Sequence, residues 1–275
     1  MFYSMRLIAW PITDVGRVRS ANEDAHLVNE NIGLFLVADG MGGHAGGALA
    51  SRTCVEVVNK IVSRGLVGKT ALPDDAETEA VHELLSDAAS EASARIFDHG
   101  LQDPSLQGMG TTLTGVYFQK DRAHIVHIGD SRCYLIRGGT VRQLTNDHSW
   151  LNEQVQAGLM TEAEAELSDL RHIITRSVGF ERNVEADLIS IGVNLGDAFL
   201  LCSDGLCNYI SSHEFSDIAL EHFYEDLPRV CTQLALERGG DDNITAVVVL
   251  VCNDQPQGQS SRRDRETMAD TMSQR

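Results

Sequence analysis

Residues 37–47 read VADGMGGHAGG. The apolar run NIGLFLVAD (31–39) ends on Asp39, and a glycine-rich loop opens directly behind it. Two chemistries compete for this arrangement, and the choice between them fixes what the chain is built around. A glycine loop between a strand and a helix can cradle a phosphate on its backbone N–H groups. A carboxylate at a strand tip can instead hold a metal ion.

Gly40, Gly42 and Ala45 satisfy G-x-G-x-x-A between an apolar strand and a helical pattern, the context in which a dinucleotide fingerprint counts. Two features speak against it. The helical pattern runs on through Lys60 into a loop and a second helix, so no second strand delivers the acidic residue such a site needs. Asp39 would also face the pyrophosphate with nothing to offset the repulsion. A P-loop is excluded, because no Gly-Lys-Ser or Gly-Lys-Thr follows.

Outward from the loop, residues 47–65 place Leu49, Val55, Val58, Ile61 and Val62 at helical spacing. Residues 78–100 repeat the pattern with Val81, Leu84, Leu85, Ala88, Ala92 and Ile96. The texture then turns to short β-rich runs: TTLTGVYF (111–118), RAHIVHIGD (122–130), RCYLIRGGTVRQL (132–144), DLISIGV (187–193), AFLLCSD (198–204) and ITAVVVLVC (244–252). Gly138-Gly139 marks a turn within the third, and two further helical stretches, Ser211 to Glu221 and Asp226 to Arg238, separate the last two. Strands punctuated by helix pairs, without strict βαβ alternation, predict an α+β layered fold with packed sheets covered by helices. Residues 13–28 read as polar and turn-rich. Asn146 to Gly179 is helical in pattern but polar, and reads as an inserted flap.

Composition narrows the function. A net charge of −18 over 275 residues argues against nucleic acid, whose non-specific affinity comes from clustered Lys and Arg. The opening MFYSMRLIAWPIT is too short an apolar stretch for a secretory segment or a membrane span, so a cytoplasmic location is expected. Six cysteines without CxxC pairs or zinc-site spacing read as reduced thiols. Residues 253–275 carry almost nothing to bury and are expected to be a disordered tail.

Acidic residues recur where runs end or turn: Glu23 and Asp24 in NED, Asp39, Asp130 in HIGDSR, Asp204 in LLCSDG, and Asp241 and Asp242 in GGDDNIT. Each alone is ordinary turn chemistry. Brought together at sheet ends they would repel strongly unless cations sat among them. Oxygen-only ligands favour Mg²⁺ or Mn²⁺ over zinc or copper.

The motifs VRSANEDA, VADGMGGH, MGTT, HIGDSR, LLCSDGL and GGDDNIT stand in the order found in the PP2C-type metal-dependent protein phosphatases, and the chain resembles their bacterial single-domain members from about Thr13 to Val251. The resemblance implies a four-layer α-β-β-α sandwich with two central antiparallel sheets flanked by helix pairs, over a catalytic domain at 5–252 with the flap at 146–179. It implies hydrolysis of phosphoserine and phosphothreonine at a centre of two Mn²⁺ or Mg²⁺ ions. Asp39 would bridge the ions and Gly40 would add its carbonyl. Asp204 and Asp242 would complete one shell, and Glu23 and Asp24 would hold the second ion directly or through water. Bacterial members often bind a third ion, for which Asp130 with Asp204 is the matching pair. Paired ions would supply hydroxide near neutral pH and neutralise phosphoryl charge during in-line attack.

Arg19 matches the family's phosphate-binding arginine; a surface salt bridge is its other reading, and Arg17 is a nearby decoy. Met41 stands where many eukaryotic members have a histidine proposed as general acid. His44 could donate that proton, or be a loop histidine bonded to backbone while a metal-bound water does the work. Ser131 lacks the context of an esterase nucleophile, and His124 and His127, three apart in a strand, face opposite sides. The resemblance further implies phosphoprotein substrates and an opposing Ser/Thr kinase, with the protein acting as a monomer without nucleic acid or membrane. The rival readings are a phosphoprotein-binding relative without turnover and the dinucleotide enzyme weighed above.

Overall fold

The computed structural model describes residues 5–65, 74–161, 164, 168, 170 and 173–253, apart from the side chains of residues 44, 74 and 75. Among these residues two five-stranded antiparallel sheets lie at the centre. The first sheet runs β1 (Met5–Asp14), β12 (Ile244–Asn253), β11 (Ala198–Cys202), β8 (Arg132–Arg137), β9 (Thr140–Gln143). The second runs β10 (Asp187–Gly192), β7 (Arg122–Ile128), β6 (Leu113–Gln119), β3 (Leu34–Ala38), β2 (Ala25–Asn29). A two-residue pair, β4 (Gly40–Met41) with β5 (Gly110–Thr111), sits beside the second sheet's end.

Strand alternation separates three apolar layers. Phe35 and Val37 of β3 face Phe199, Leu201, Val247 and Val249 of the other sheet, all fully buried. Leu34, Leu36 and Ala38 of the same strand point the other way, into α1 (His44–Gly65) and α2 (Asp74–Gln102). On the far side Tyr134, Leu200, Ala246 and Val248 pack on α4 (Asp204–Cys207), α5 (Ser212–Glu221) and α6 (Leu227–Glu237). Helix, sheet, sheet, helix is the order of layers. Phe118 meets Phe35 and Phe199 edge-on, at 5.9 and 5.1 Å between ring centroids.

Two strands depart from the sequence reading. Residues 5–14 form β1 despite Pro11, because β1 is an edge strand and a proline there forfeits no ladder hydrogen bond. The polar stretch 13–28 yields β2, the opposite edge, whose residues are mostly half-buried and show no clean alternation. The turn at Gly138-Gly139 is confirmed, with φ of 58° and 81°, as a tight hairpin between β8 and β9 requires.

Of the helical pattern expected across 146–179 the structure gives α3 (Trp150–Gln156), with Ser149 as its N-cap. The far end of that segment is stitched to the body: Thr175 N donates to the His148 carbonyl and Val178 pairs with Thr111. Residues 162–163, 165–167, 169 and 171–172 of the segment, and 254–275 of the expected tail, lie outside the described residues. No helix among the described residues is long and apolar enough to cross a membrane. All six cysteines are free, and five are buried.

Phe199→Ala should cost about 3–5 kcal/mol of unfolding free energy by opening a cavity between the sheets. Urea denaturation measures it, and a loss under about 1 kcal/mol would show that the inter-sheet layer is not the close-packed core described.

Candidate metal centre

Antiparallel pairing brings the acidic residues to one rim. Ala25 lies opposite Ala38, so Asp24, just before β2, and Asp39, just after β3, emerge side by side. Cys202 lies opposite both Ala246 and Arg132. Asp204 behind β11, Asp242 ahead of β12 and Asp130 in the β7–β8 turn therefore leave the first sheet and its neighbour at the same end. Arg19, Glu23, Asp39, Gly40, Asp130, Asp204 and Asp242 line one cleft of about 1160 Å³, and Ile173 to Ser177 form part of its far wall.

The loops are fixed by hydrogen bonds from residues to which the sequence reading assigns no role. Thr112 Oγ1 accepts from Asp39 N at 2.8 Å and touches Ser131 Oγ at 2.7 Å, so one threonine joins the Asp39 and Asp130 loops. Thr111 Oγ1 donates to the Asp39 carbonyl at 2.8 Å. Asn243 Oδ1 accepts from Glu23 N at 2.7 Å, while its Nδ2 donates to the Val15 and Ala21 carbonyls, fastening the Arg19 loop to β12. Ser203 Oγ donates to Asp24 Oδ2 at 2.8 Å. Ser203 and Asn243 stand directly beside carboxylates, in CSD and DNIT, and that adjacency is the signal that could have found them; Thr111 and Thr112 stand in GTT, with no carboxylate next to them. Gly40 and Gly47 are in direct contact. A Cβ on Gly40 would meet the Gly47 carbonyl at 2.2 Å, and one on Gly47 would meet Glu23 Oε2 at 1.9 Å. The glycines of the opening loop thus let α1 close against the acidic rim; their use is packing, not a phosphate cradle.

Electrostatics follows from the crowding. Burial, reinforced by Asp204 and Asp242, pushes the Asp24 carboxyl up to about 7 from 3.8, against the pull of hydrogen bonds from Thr245 and Ser203. Burial raises Asp39 well above the usual carboxylate range, with Asp24, Asp204, Asp130 and Asp242 all adding to it. Asp130 is raised likewise, by burial first and then by Asp204 and Asp147. One compensating cation in place is Arg19, which donates to Asp242 Oδ2 at 2.7 Å.

Among the described residues no three His, Cys, Asp or Glu side chains already stand in ligating geometry; protein donors hold several of them instead. The donor set nonetheless fits a hard divalent cation. It is all oxygen, it is charged, and Asp24 Oδ1 is buried without a hydrogen-bond partner. Nitrogen and sulfur ligands are kept elsewhere: His124 is engaged with Ser190 Oγ, His127 with Thr114 Oγ1 and the Asn146 carbonyl, and Cys202 and Cys207 belong to the helix-covered layer. Ser131 is fully buried and bonded to Thr112, which excludes it as a nucleophile. Asp241 accepts from Tyr209 Oη at 2.9 Å. Arg17 Cγ lies against Gly240, and Arg17 is not among the residues that line the cleft. His44 is the first residue of α1, and its side chain lies outside the described residues.

The sequence pattern described as Protein phosphatase 2C matches residues 17–238. The serine/threonine phosphatase stp of Listeria welshimeri is 35% identical over 241 residues, 86% of this chain and 93% of that protein. The crystal structure of the Mycobacterium tuberculosis serine/threonine phosphatase PstP/Ppp superposes with a TM-score of 0.80 at 33% identity, covering 90% of this chain and all of that one. The catalytic domain of the serine/threonine protein phosphatase PstP, in complex with two manganese ions, superposes with a TM-score of 0.78 at 32% identity, covering 91% of this chain and all of that one.

A raised carboxyl pKa destabilises as pH rises: between 3.8 and about 7 the unfolded chain has lost the Asp24 proton while the folded chain keeps it. The cost sets in above the first value and is complete above the second. In chelator the Asp24→Asn protein should therefore gain in melting temperature over wild type as pH is raised from 5 to 8, a comparison in which the opposing titration of buried His127 and His148 cancels. Added Mn²⁺ should raise the wild-type melting temperature more at pH 8 than at pH 5, because binding must displace protons. A Mn²⁺ shift equal at both pH values would contradict the crowded-carboxylate reading.

Proposed function

The chain belongs to the protein phosphatase 2C family, and on that premise we propose how its residues divide the labour of phosphate release. It is a serine/threonine protein phosphatase, a metal-dependent hydrolase whose substrates are phosphorylated proteins. The observation that carries the assignment of residues is the burial of Asp24, Asp39 and Asp130 at a single rim, all three in the field of Asp204.

Asp39, the Gly40 carbonyl, Asp204 and Asp242 would hold one divalent ion, Mn²⁺ or Mg²⁺; Glu23 and Asp24, with Asp39 serving both, would hold a second directly or through water; Asp130 with Asp204 would hold a third. When bound, such ions lower the pKa of a coordinated water and neutralise charge on the phosphoryl oxygens. The Arg19 guanidinium orients the phosphoryl group. Its side chain is half exposed and its present partner Asp242 stands in the same cleft, so rotation suffices to bring the planar fork from carboxylate to phosphate. Thr112, Ser203 and Asn243 hold the loops, so that the carboxylates meet the charge of the reaction already in position. Protonation of the leaving alkoxide falls to His44 or to water, and replacing His44 distinguishes the two.

The same reading extends to cellular role. Phosphorylated Ser and Thr exist only where a kinase has placed them, so a Ser/Thr kinase is the opposing enzyme. On this reading the acidic chain acts in the cytoplasm as a monomer.

Phosphate release from a phosphothreonine peptide, with Mn²⁺ added or chelated, tests the assignment. Asp39→Asn should lower turnover at least about 100-fold, the scale of removing a principal electrostatic stabiliser. Arg19→Ala should lower kcat/KM by about 10- to 100-fold. Turnover in chelator equal to that in Mn²⁺, or full activity of Asp39→Asn, would overturn it.

A further inference from the structure

The cleft that gathers the carboxylates also has apolar side chains in its lining. Ile173 and Phe180 line it while standing 45% and 66% exposed. Both sit on chain that is tied down. Thr111 and Val178 exchange both backbone hydrogen bonds, at 2.9 and 2.8 Å. Gly179 N donates to Ser93 Oγ at 2.9 Å, that hydroxyl donates to the Glu181 carbonyl at 2.7 Å, and Arg182 pairs with Asp98 at 2.6 Å. Trp150 N donates to the Ile173 carbonyl at 2.9 Å. A phenyl ring held in water on a fixed loop forgoes the burial that aromatic side chains normally obtain. One exposed apolar residue is ordinary. Two in the reaction cleft, with the half-buried Met41 and Val184 lining it as well, form an apolar surface beside an otherwise charged site.

Resting on the phosphatase reading above, we propose that Phe180 and Ile173 form a specificity surface for a bulky apolar side chain of the protein substrate, close in sequence to its phosphorylated Ser or Thr. Backbone pairing sets the spacing. Gly40 pairs with Thr111, and Thr111 is bridged to Val178, so two backbone pairings lead from the carboxylate rim to within two residues of Phe180. At ~4.8 Å per pairing the span to Val178 is about 10 Å, which an extended peptide covers in about three residues at ~3.3 Å each. The apolar side chain therefore stands two to four residues from the phosphorylated one. Charge adds a second filter: Glu181, Glu185 and Asp241 line the same cleft, and its Arg176 is already paired with Asp187, so acidic residues at those positions are repelled. Continuity with the reaction cleft is what assigns this surface to the substrate chain itself and not to a separate partner.

The test is kcat/KM for phosphothreonine peptides of one host sequence, with Leu, Ala or Asp placed singly two, three or four residues to either side of the phosphothreonine. The wild-type protein with Mn²⁺ should favour Leu over Ala by roughly tenfold at one or more of these positions, the scale on which an apolar pocket discriminates, and should disfavour Asp. Phe180→Ala and Ile173→Ala should each flatten the Leu-to-Ala ratio toward one, and Phe180→Leu should keep most of it. Because the readout is a ratio within each protein, a general loss of activity does not imitate it. A Leu-to-Ala ratio near one in the wild type, or an unchanged ratio in both alanine variants, would overturn the proposal. Hydrolysis of p-nitrophenyl phosphate by the wild type, an ester without flanking residues, separates the two layers: metal-dependent turnover there with no peptide preference overturns the specificity surface alone, whereas no turnover overturns the phosphatase reading and the surface with it.

Discussion

Asp24, Asp39 and Asp130 are enclosed at the same rim of a two-sheet sandwich; Asp24 and Asp130 both raise the cost of ionising Asp39, and Asp204 raises it for all three. Like charges so placed can be neutralised in two ways, by protons or by cations. The raised proton affinity of Asp24, Asp39 and Asp130 expresses the first, and two guanidinium groups act beside it, Arg19 on Asp242 and Arg132 on Asp130. Neutral pH favours the second, because protons are then scarce and a hard cation finds a ready shell of oxygens. The rim is therefore a place where stability has been exchanged for ion affinity, and most of the surrounding architecture serves to keep these groups from moving apart.

That architecture works through the close-packed layer between the sheets. Phe35, Phe118, Phe199 and the β12 valines fix the two sheets face to face, so strand ends from both arrive at one level. The loops that leave them are then fastened crosswise. Thr112 ties the Asp39 turn to the Asp130 turn through Ser131, and Asn243 ties the Glu23 loop to β12. Residues 175–178 return to the same rim against Thr111, which places Arg176, paired to Asp187 at 2.7 Å, on the wall opposite the carboxylates. Charged groups held by rigid loops before the reaction begins are what electrostatic preorganisation requires.

Much of this was legible in the sequence, and the exceptions share causes. The central strands read clearly, because β6, β7, β8, β11 and β12 are buried on both faces and appear as apolar runs. The edge strands β1 and β2 did not, since a proline and half-buried polar residues hide a strand that pairs on one side only. The carboxylates of the rim were readable from their recurrence at run ends. Thr112, Ser203 and Asn243 were not, because a threonine, serine or asparagine beside a strand has many uses and only its partners, distant in sequence, reveal which one applies. The glycine loop misleads in isolation: Gly40, Gly42 and Ala45 match a dinucleotide-binding pattern, but the structure packs Gly40 against Gly47 of α1, and Gly47 against Glu23.

The central claim is that divalent ions take the place of protons and of Arg19 among these carboxylates. Crystals of the protein grown with Mn²⁺ and measured at the manganese absorption edge test it most directly. Two or more anomalous peaks should lie within roughly 2.0–2.6 Å of oxygens of Asp39, Asp204 and Asp242 and near Glu23 and Asp24, with the Arg19 guanidinium moved off Asp242. An anomalous map with no peak at Asp39, and Arg19 still bonded to Asp242 in saturating Mn²⁺, would contradict it.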